Sequence, residues 1–247
     1  MKVQTTGNRA GVLHSKGVVM RSCMVLFLIA LVAVPAFAVH HQFHAQAIAI
    51  GGDVPTAGAV ALAPAGGEGN ASVEHYDANG IRFDQAATSV RGTEDGRVAV
   101  TTAIVTLRNI DILGRIHIDE ISARVVGRQA RGAAEAEITI DNLRFRNVVV
   151  DGRQILVRPD AGKLNRMRTF VSLRGSDDPS LSLSSALMPD GDRSLEVPGI
   201  GTLYFAEVLV KPGERSVTML RVEFEPQHPM RHLTIGTLDT NGTDMFP

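Results

Sequence analysis

Three histidines, His40, His41 and His44, follow directly on the tripeptide Ala36-Phe37-Ala38. A chain cut after Ala38 begins Val39-His40-His41. A free amine with an imidazole at the third position can hold Cu(II) or Ni(II) through the amine, two backbone amides and the ring, a nitrogen set suited to those ions. Val39, His40 and His41 are therefore the candidate metal ligands, and their use depends on that one cleavage; otherwise they form a mobile polar terminus. His228 and His232 stand four apart in His228-Pro-Met-Arg-His232, but Pro229 breaks the helix that would put both rings on one face, and no carboxylate follows as a base. Two acidic turns, Asp77-Ala-Asn79-Gly80 and Asp239-Thr-Asn241-Gly242-Thr-Asp244, place oxygens at alternate positions before a glycine, as calcium loops do, but lack the terminal bidentate Glu. Asp and Asn beside Gly are equally what a hairpin turn demands, and Asp190-Gly191-Asp192 reads the same way.

Hydrolysis needs a nucleophile or water activated by a positioned base. The chain has no GxSxG, SxxK or HExxH, and the serines of Ser180 to Ser185 alternate as a strand with a hydroxyl face. No catalytic residue is assigned, and the expectation is a non-enzymatic protein. The alternative is a secreted hydrolase with a dispersed site, recognisable by a cleft holding a His–carboxylate pair within reach of a Ser or water. Sugar-binding modules commonly stack sugars on Trp and Tyr, yet there is no Trp, and Tyr76 and Tyr204 are the only tyrosines. Tyr204 shares the alternation of Ala206, Val208 and Val210, which predicts a core position.

The elements that would carry such groups begin with a leader. Lys16 and Arg21 precede an apolar run from Cys23 to Ala38 that ends in an A-x-A exit, the pattern of a secretory signal peptide cleaved after Ala38; an uncleaved N-terminal anchor is the alternative. Met20 is a second candidate start, and the residues before Cys23 do not form a lipidation signal. Cleavage removes Lys2, Arg9, Lys16 and Arg21, which leaves 21 basic against 26 acidic side chains and a net charge of −5. That charge argues against nucleic acid as a partner. Cys23 is lost with the leader, so the exported chain has no thiol or disulfide, and no later run is long and apolar enough for a membrane span.

Residues 39–72 are rich in Ala and Gly and read as one short strand near 45–50 followed by a flexible linker. From residue 73 the period is two. Ala134, Ala136, Ile138 and Ile140 alternate with Glu135, Glu137, Thr139 and Asp141, and Ile116 and Ile118 with His117 and Asp119. Parity changes near Glu120, where Ile121, Ala123 and Val125 take over, and again after Asn142, which predicts bulges or bends. Leu203–Val210 and Val217–Phe224 form a hairpin across Lys211-Pro-Gly-Glu214, and turns fall at Asn79-Gly80, Asp95-Gly96, Asp151-Gly152, Asp190-Gly191 and Asn241-Gly242. The helix expected is 161–171, with a second turn near 228–232. Val105–Ile112 echoes Ile138–Phe145 at an offset of 33, both apolar-Thr-apolar-x-Asn-apolar-x-apolar, which reads as two paired strands.

The run TLRNIDILGRIHIDEISARVVGRQARGAAEAEITIDNLRFRNVVVDGRQILV, Thr106 to Val157, resembles secreted actinobacterial surface proteins related to the choice-of-anchor P type, which have a signal peptide, an Ala-rich mature start, a strand of the form NxxLLGGxIxIxxI and a later VxVDG. Leu233 to Gly236 (LTIG) also fits, whereas Arg115 stands where a second Gly is usual. The resemblance implies an exported surface protein and assigns no active site. The fold expected is mainly β, an antiparallel sandwich or irregular barrel over 73–247, after a signal peptide (1–38) and a leader (39–72). The expected place is the cell surface, envelope or medium, and the expected role structural or protein-binding, with a protein or cell-envelope component as partner. No cofactor is assigned, calcium and copper being the candidates.

Overall fold

The computed structural model describes residues 41–133, 135–165, 182–184, 186–187, 194–211 and 214–241. Two antiparallel sheets dominate. One is a meander in sequence order, β3 (Gly67–Ala78), β4 (Ile81–Glu94), β5 (Val98–Ile112), β6 (Ile116–Ala130), β7 (Glu137–Val150) and β8 (Arg153–Ile155). The other joins both ends of the fold: β1 (His44–Gly52) lies between β2 (Ala57–Ala61) and β15 (His232–Asn241), followed by β14 (Glu214–Phe224) and β13 (Gly201–Lys211). Two short strands, β10 (Ser182–Ser184) and β12 (Ser194–Val197), share the far side of β13, and β9 (Arg158–Pro159) pairs with β11 (Ala186–Leu187). The architecture is a β-sandwich with no closed barrel, and the 203–210/217–224 hairpin is β13–β14.

The inner faces interlock through residues of period two. Val105, Leu107, Ile121, Ala123 and Val125 from the meander meet Val217, Leu220, Ile235 and Leu238 from the other sheet, all fully buried. Two pairs of buried polar groups link the sheets: the hydroxyls of Thr101 and Thr240 lie 2.5 Å apart, and Arg215 donates from Nη1 to the Ile138 carbonyl at 2.7 Å. Burial pulls the Arg215 guanidinium down to about 10, still charged at neutral pH.

The Ala/Gly-rich segment corrects the expectation of a linker. The strand expected near 45–50 is β1, but residues 57–61 and 67–78 are strands as well, so the fold begins before residue 73. Ala45, Ala47 and Ala49 are at most 1% exposed, because small side chains let β1 sit in the interior of its sheet against β4 and β5. A Cβ on Gly69 would stand 2.9 Å from Val60 Cγ2, so glycine there lets β2 approach β3. The expected helix is described over Ala161–Asn165 only (α1), with 166–171 outside the described residues. At 228–232 the chain makes a turn and enters β15. The 105–112 and 138–145 segments are not paired: β6 runs between them. Their echo has a different cause, since Asn109 and Asn142 both take the left-handed conformation, each with φ of 53°. Asn142 carries the bulge that shifts the β6–β7 register after Ser122.

Candidate functional site

The outer face of the meander sheet holds an ordered line of polar residues. The register on either side places His75, Asp84, Asn109, Asp119 and Asn147 opposite one another, in one line across β3 to β7. Alternate strands are left-handed in that line, with φ of 56° at His75, 53° at Asn109 and 46° at Asn147. A left-handed residue turns the strand about its axis, so two successive side chains face solvent before alternation resumes. Asn tolerates this backbone, and its amide is used: Asn109 Nδ2 donates to Asp84 Oδ2 at 2.7 Å and Asn147 Nδ2 to Asp119 Oδ1 at 3.2 Å. The parity change near Glu120 is this line, reached without any change in the β5–β6 register.

The other sheet has a matching line of Ala206, Met219, Gly236, Ala49 and Gly58, read from its own register. Ala206, Gly236 and Gly58 are left-handed at 51°, 68° and 61°. Here the doubled residues face inward, as Phe205 and Ala206 do, both fully buried. This corrects the expectation for Tyr204. The skip at Ala206 turns Tyr204 outward, where the Arg221 guanidinium lies 4.0 Å over its ring and its hydroxyl donates to Glu223 at 3.2 Å. Burial and the Glu223 charge raise the Tyr204 phenol above its usual range, and Glu207 holds Arg221 firmly protonated.

Beside the polar line, towards the 94–98 turn, the same face carries a hollow of about 490 Å³. It is lined from β3 by Glu68 and Asn70, from β4 by Ser89, Arg91 and Thr93, from β5 by Val100, Thr102 and Ile104, and from β6 by Arg124. Its volume falls within the range of about 300–1,000 Å³ common for small-ligand sites. Arg91 pairs with Glu68 at 3.1 Å. Arg124 stands opposite Asp141 in the β6–β7 register, but among the described residues it takes part in no ion pair.

The opposite end of the meander is tied rather than open. Asn79-Gly80, Leu113-Gly114 and Asp151-Gly152 turn with positive φ at both residues, as two of the expected turns require. Arg115 grips Asp151 with two 2.7 Å hydrogen bonds, from Nε and Nη2, and donates from Nη1 to the Pro198 carbonyl at 2.8 Å. Arg115 of LGR and Asp151 of VDG are thus one clamp, and Arg115 holds the Asp151 carboxyl below its usual range.

The residues singled out by sequence do not converge. His41 is 7% exposed, its ring edge-on to Phe43 at 4.6 Å, while Val39 and His40 lie outside the described residues. His228 stacks on Phe224 at 4.5 Å, whereas His232 Nδ1 lies 3.3 Å from Asp53. Asp53 accepts the Arg231 and His232 amides, which keep its carboxyl below the usual range. Asp239 lies 3.6 Å from His44, and Asp77 and Asn79 belong to an ordinary hairpin. Asp190, Asp192, Gly242 and Asp244 lie outside the described residues, as do Ser180 and Ser185. Among the described residues no three His, Cys, Asp or Glu side chains gather to hold a metal, and no hydroxyl is hydrogen-bonded to the His44, His117 or His232 imidazoles, each of which faces a carboxylate. Sequence reading missed the hollow, because its residues are single polar positions on four strands that only the register assembles.

Residues 41–181, more than half of the chain, match a family described as a domain of unknown function, DUF8256. The chain belongs to that family. The DUF8256 match starts at the first described residue and takes in β1, β2 and the whole meander, including every residue of the hollow. It ends before β12 to β15, although β15 is the hydrogen-bonded neighbour of β1. No curated protein and no solved structure matches the chain.

Proposed function

We propose that this DUF8256 protein is exported and non-enzymatic, with a structural or binding role at the cell surface or envelope. A protein or cell-envelope component is met on the outer face of the meander sheet. The observation that carries this reading is the hollow, whose polar and aliphatic side chains stand on β3 to β6, with the long strands β4 to β6 each paired on both sides. A face built on paired strands keeps its side chains in place, as recognition of an extended partner requires. Export is supported by the charged, apolar and A-x-A sequence that ends at Ala38, just ahead of the described fold. The resemblance of Thr106–Val157 to secreted actinobacterial surface proteins points the same way.

The test is intact mass of the native protein, recovered separately from culture medium, washed envelope and cytoplasm. A species beginning at Val39 in the medium or envelope is expected. A chain that keeps residues 1–38 and stays in the cytoplasm overturns the reading.

A further inference from the structure

We propose that the hollow on the outer face of β3 to β6 binds an acidic oligosaccharide, a short sugar chain with one terminal carboxylate, with Arg124 as the anchor for the acid group. The inference deepens the reading above by naming the chemistry of the partner.

Arg124 is the first reason. It projects from β6, which is paired on both sides, and is exposed. An opposite charge is available at Asp141, directly across the register, yet no ion pair forms and the side chain lines the hollow instead. A guanidinium so placed offers a fork that matches a carboxylate bidentately. The rest of the lining separates a sugar from a simple anion. Ser89, Thr93 and Thr102 supply hydroxyls and Asn70 a carboxamide, each able to donate and accept, which is what sugar hydroxyls require. Val100 and Ile104 are half-buried between them and give an aliphatic floor for the C–H face of a ring. From β3 to β6 the lining spans three strand spacings, about 14 Å at about 4.8 Å each, much longer than a phosphate ion. No aromatic ring lines the hollow, so stacking, the common means of holding neutral sugars, is not offered there. Glu68 fixes the direction of binding. Its carboxylate, paired with Arg91, repels a second acid at the β3 end, so the ligand's carboxylate faces Arg124 and its hydroxyls lie over β3 and β4.

The experiment is calorimetric titration of the full chain with sialyllactose, an acid trimer whose single carboxylate lies on its terminal sugar, maltotriose and inorganic phosphate, repeated on Arg124→Gln, Arg124→Lys and Thr102→Val. The acid trimer is expected to bind, with affinity that falls as salt rises, and maltotriose to show no heat. Arg124→Gln should weaken binding by about tenfold or more, Arg124→Lys less, and Thr102→Val severalfold. Unchanged thermal midpoints show that the variants are folded. No binding of the acid trimer, equal binding of maltotriose, or indifference to Arg124→Gln overturns the proposal. Phosphate that binds as well as the trimer, with the same Arg124 dependence, overturns it in favour of a bare anion site. Trimer binding by a chain found in the cytoplasm sinks the export reading alone, and an exported chain that ignores the trimer sinks this proposal alone.

Discussion

Gly236 lies on the left-handed line of the β13–β14–β15–β1–β2 sheet, with φ of 68°. A Cβ there would stand 3.1 Å from Met219 Cβ and Cγ and 3.5 Å from Val105 Cγ1, and both neighbours are fully buried. Gly236→Ala therefore adds two costs, about 1–2 kcal/mol for an L-residue in the left-handed region and about 1–3 kcal/mol for crowding a packed core. Loss of glycine freedom in the unfolded chain offsets about 0.4–1 kcal/mol of that, which leaves a net destabilisation of about 3 kcal/mol. Gly114 supplies the control. It has the same φ of 68°, but nothing lies within 4 Å of an added Cβ, so Gly114→Ala carries only the conformational part, about 1 kcal/mol or less. Urea unfolding of both variants beside the native chain measures the difference. With a slope of about 2–3 kcal/mol per molar, Gly236→Ala should lower the midpoint by about 1 M and Gly114→Ala by less than about 0.5 M. Equal midpoints for the two variants would mean that the inner line is not packed as described, and the account of the parity skip in that sheet fails with it.

Asp53 and Asp151 have folded pKa values below the 3.8 of a free aspartate, the first through the Arg231 and His232 amides and the second through Arg115. Their contribution is complete above about pH 3.8 and is lost as pH falls through the folded values, so the Asp53→Asn, Asp151→Asn double variant should flatten the fall of thermal midpoint with pH below 4; an unchanged acid limb refutes this. Arg115→Ala should leave the global midpoint nearly unmoved while hydrogen exchange rises at Gly114, Asp151 and Gly199, since an exposed clamp orders turns more than it stabilises the fold. Asn109→Ala loses both the amide bond to Asp84 and a residue tolerant of φ 53°, and should cost about 1–2 kcal/mol in urea, with Asn109→Gly recovering part of it. If cleavage yields Val39-His40-His41, copper must draw the His41 ring from its place against Phe43; the domain should then bind Cu(II) more weakly than the free peptide, and Phe43→Ala should narrow that gap, as competition with a chelating dye would read.

The strands of the meander were legible from their hydrophobic period because the buried positions are aliphatic and nearly uninterrupted: Ile116, Ile118, Ile121, Ala123 and Val125 are all at most 1% exposed. The parity changes at Glu120 and Asn142 were legible too, but not their kinds. Period two reports which face a side chain takes, while a left-handed residue and a one-residue bulge produce the same skip. The Asn of each VTLRN-like segment was the available sign, and the echo at offset 33 marks two backbone conformations rather than two paired strands. The strand near 45–50 was legible, since Ala45, Ala47 and Ala49 alternate with Gln46 and Ile48, but the strands after it were misread as a linker because Ala and Gly contrast too little with their neighbours to mark a buried face. Tyr204 was misplaced by one skip at Ala206, a residue with nothing in its type to announce a positive φ. The hollow depends on residues up to 56 positions apart, Glu68 to Arg124, and no local pattern contains it.

The two lines, each left-handed on alternate strands, divide the chemistry of the sandwich. In the inward-facing line the doubled positions meet the core, so they are small or apolar: Ala49, Gly58, Ala206, Met219 and Gly236. In the outward-facing line the same skip sends two successive side chains into solvent on each of five strands, and these are Glu74-His75, Asp84-Gln85, Arg108-Asn109, Asp119-Glu120 and Arg146-Asn147. Beyond that line, alternation resumes in the opposite phase. This phase is what brings Ser89, Arg91, Thr102, Ile104 and Arg124 to the outer face while Val90, Ala103, Val105, Ala123 and Val125 stay in the core. Without the skip, the parity set at Phe83, Ile110 and Ile118 would carry Arg124 inward and Ala123 outward. The hollow therefore owes its lining to a backbone feature a few residues away, and a substitution that straightens Asn109 is expected to disturb both the core and the face on which a ligand is proposed to sit.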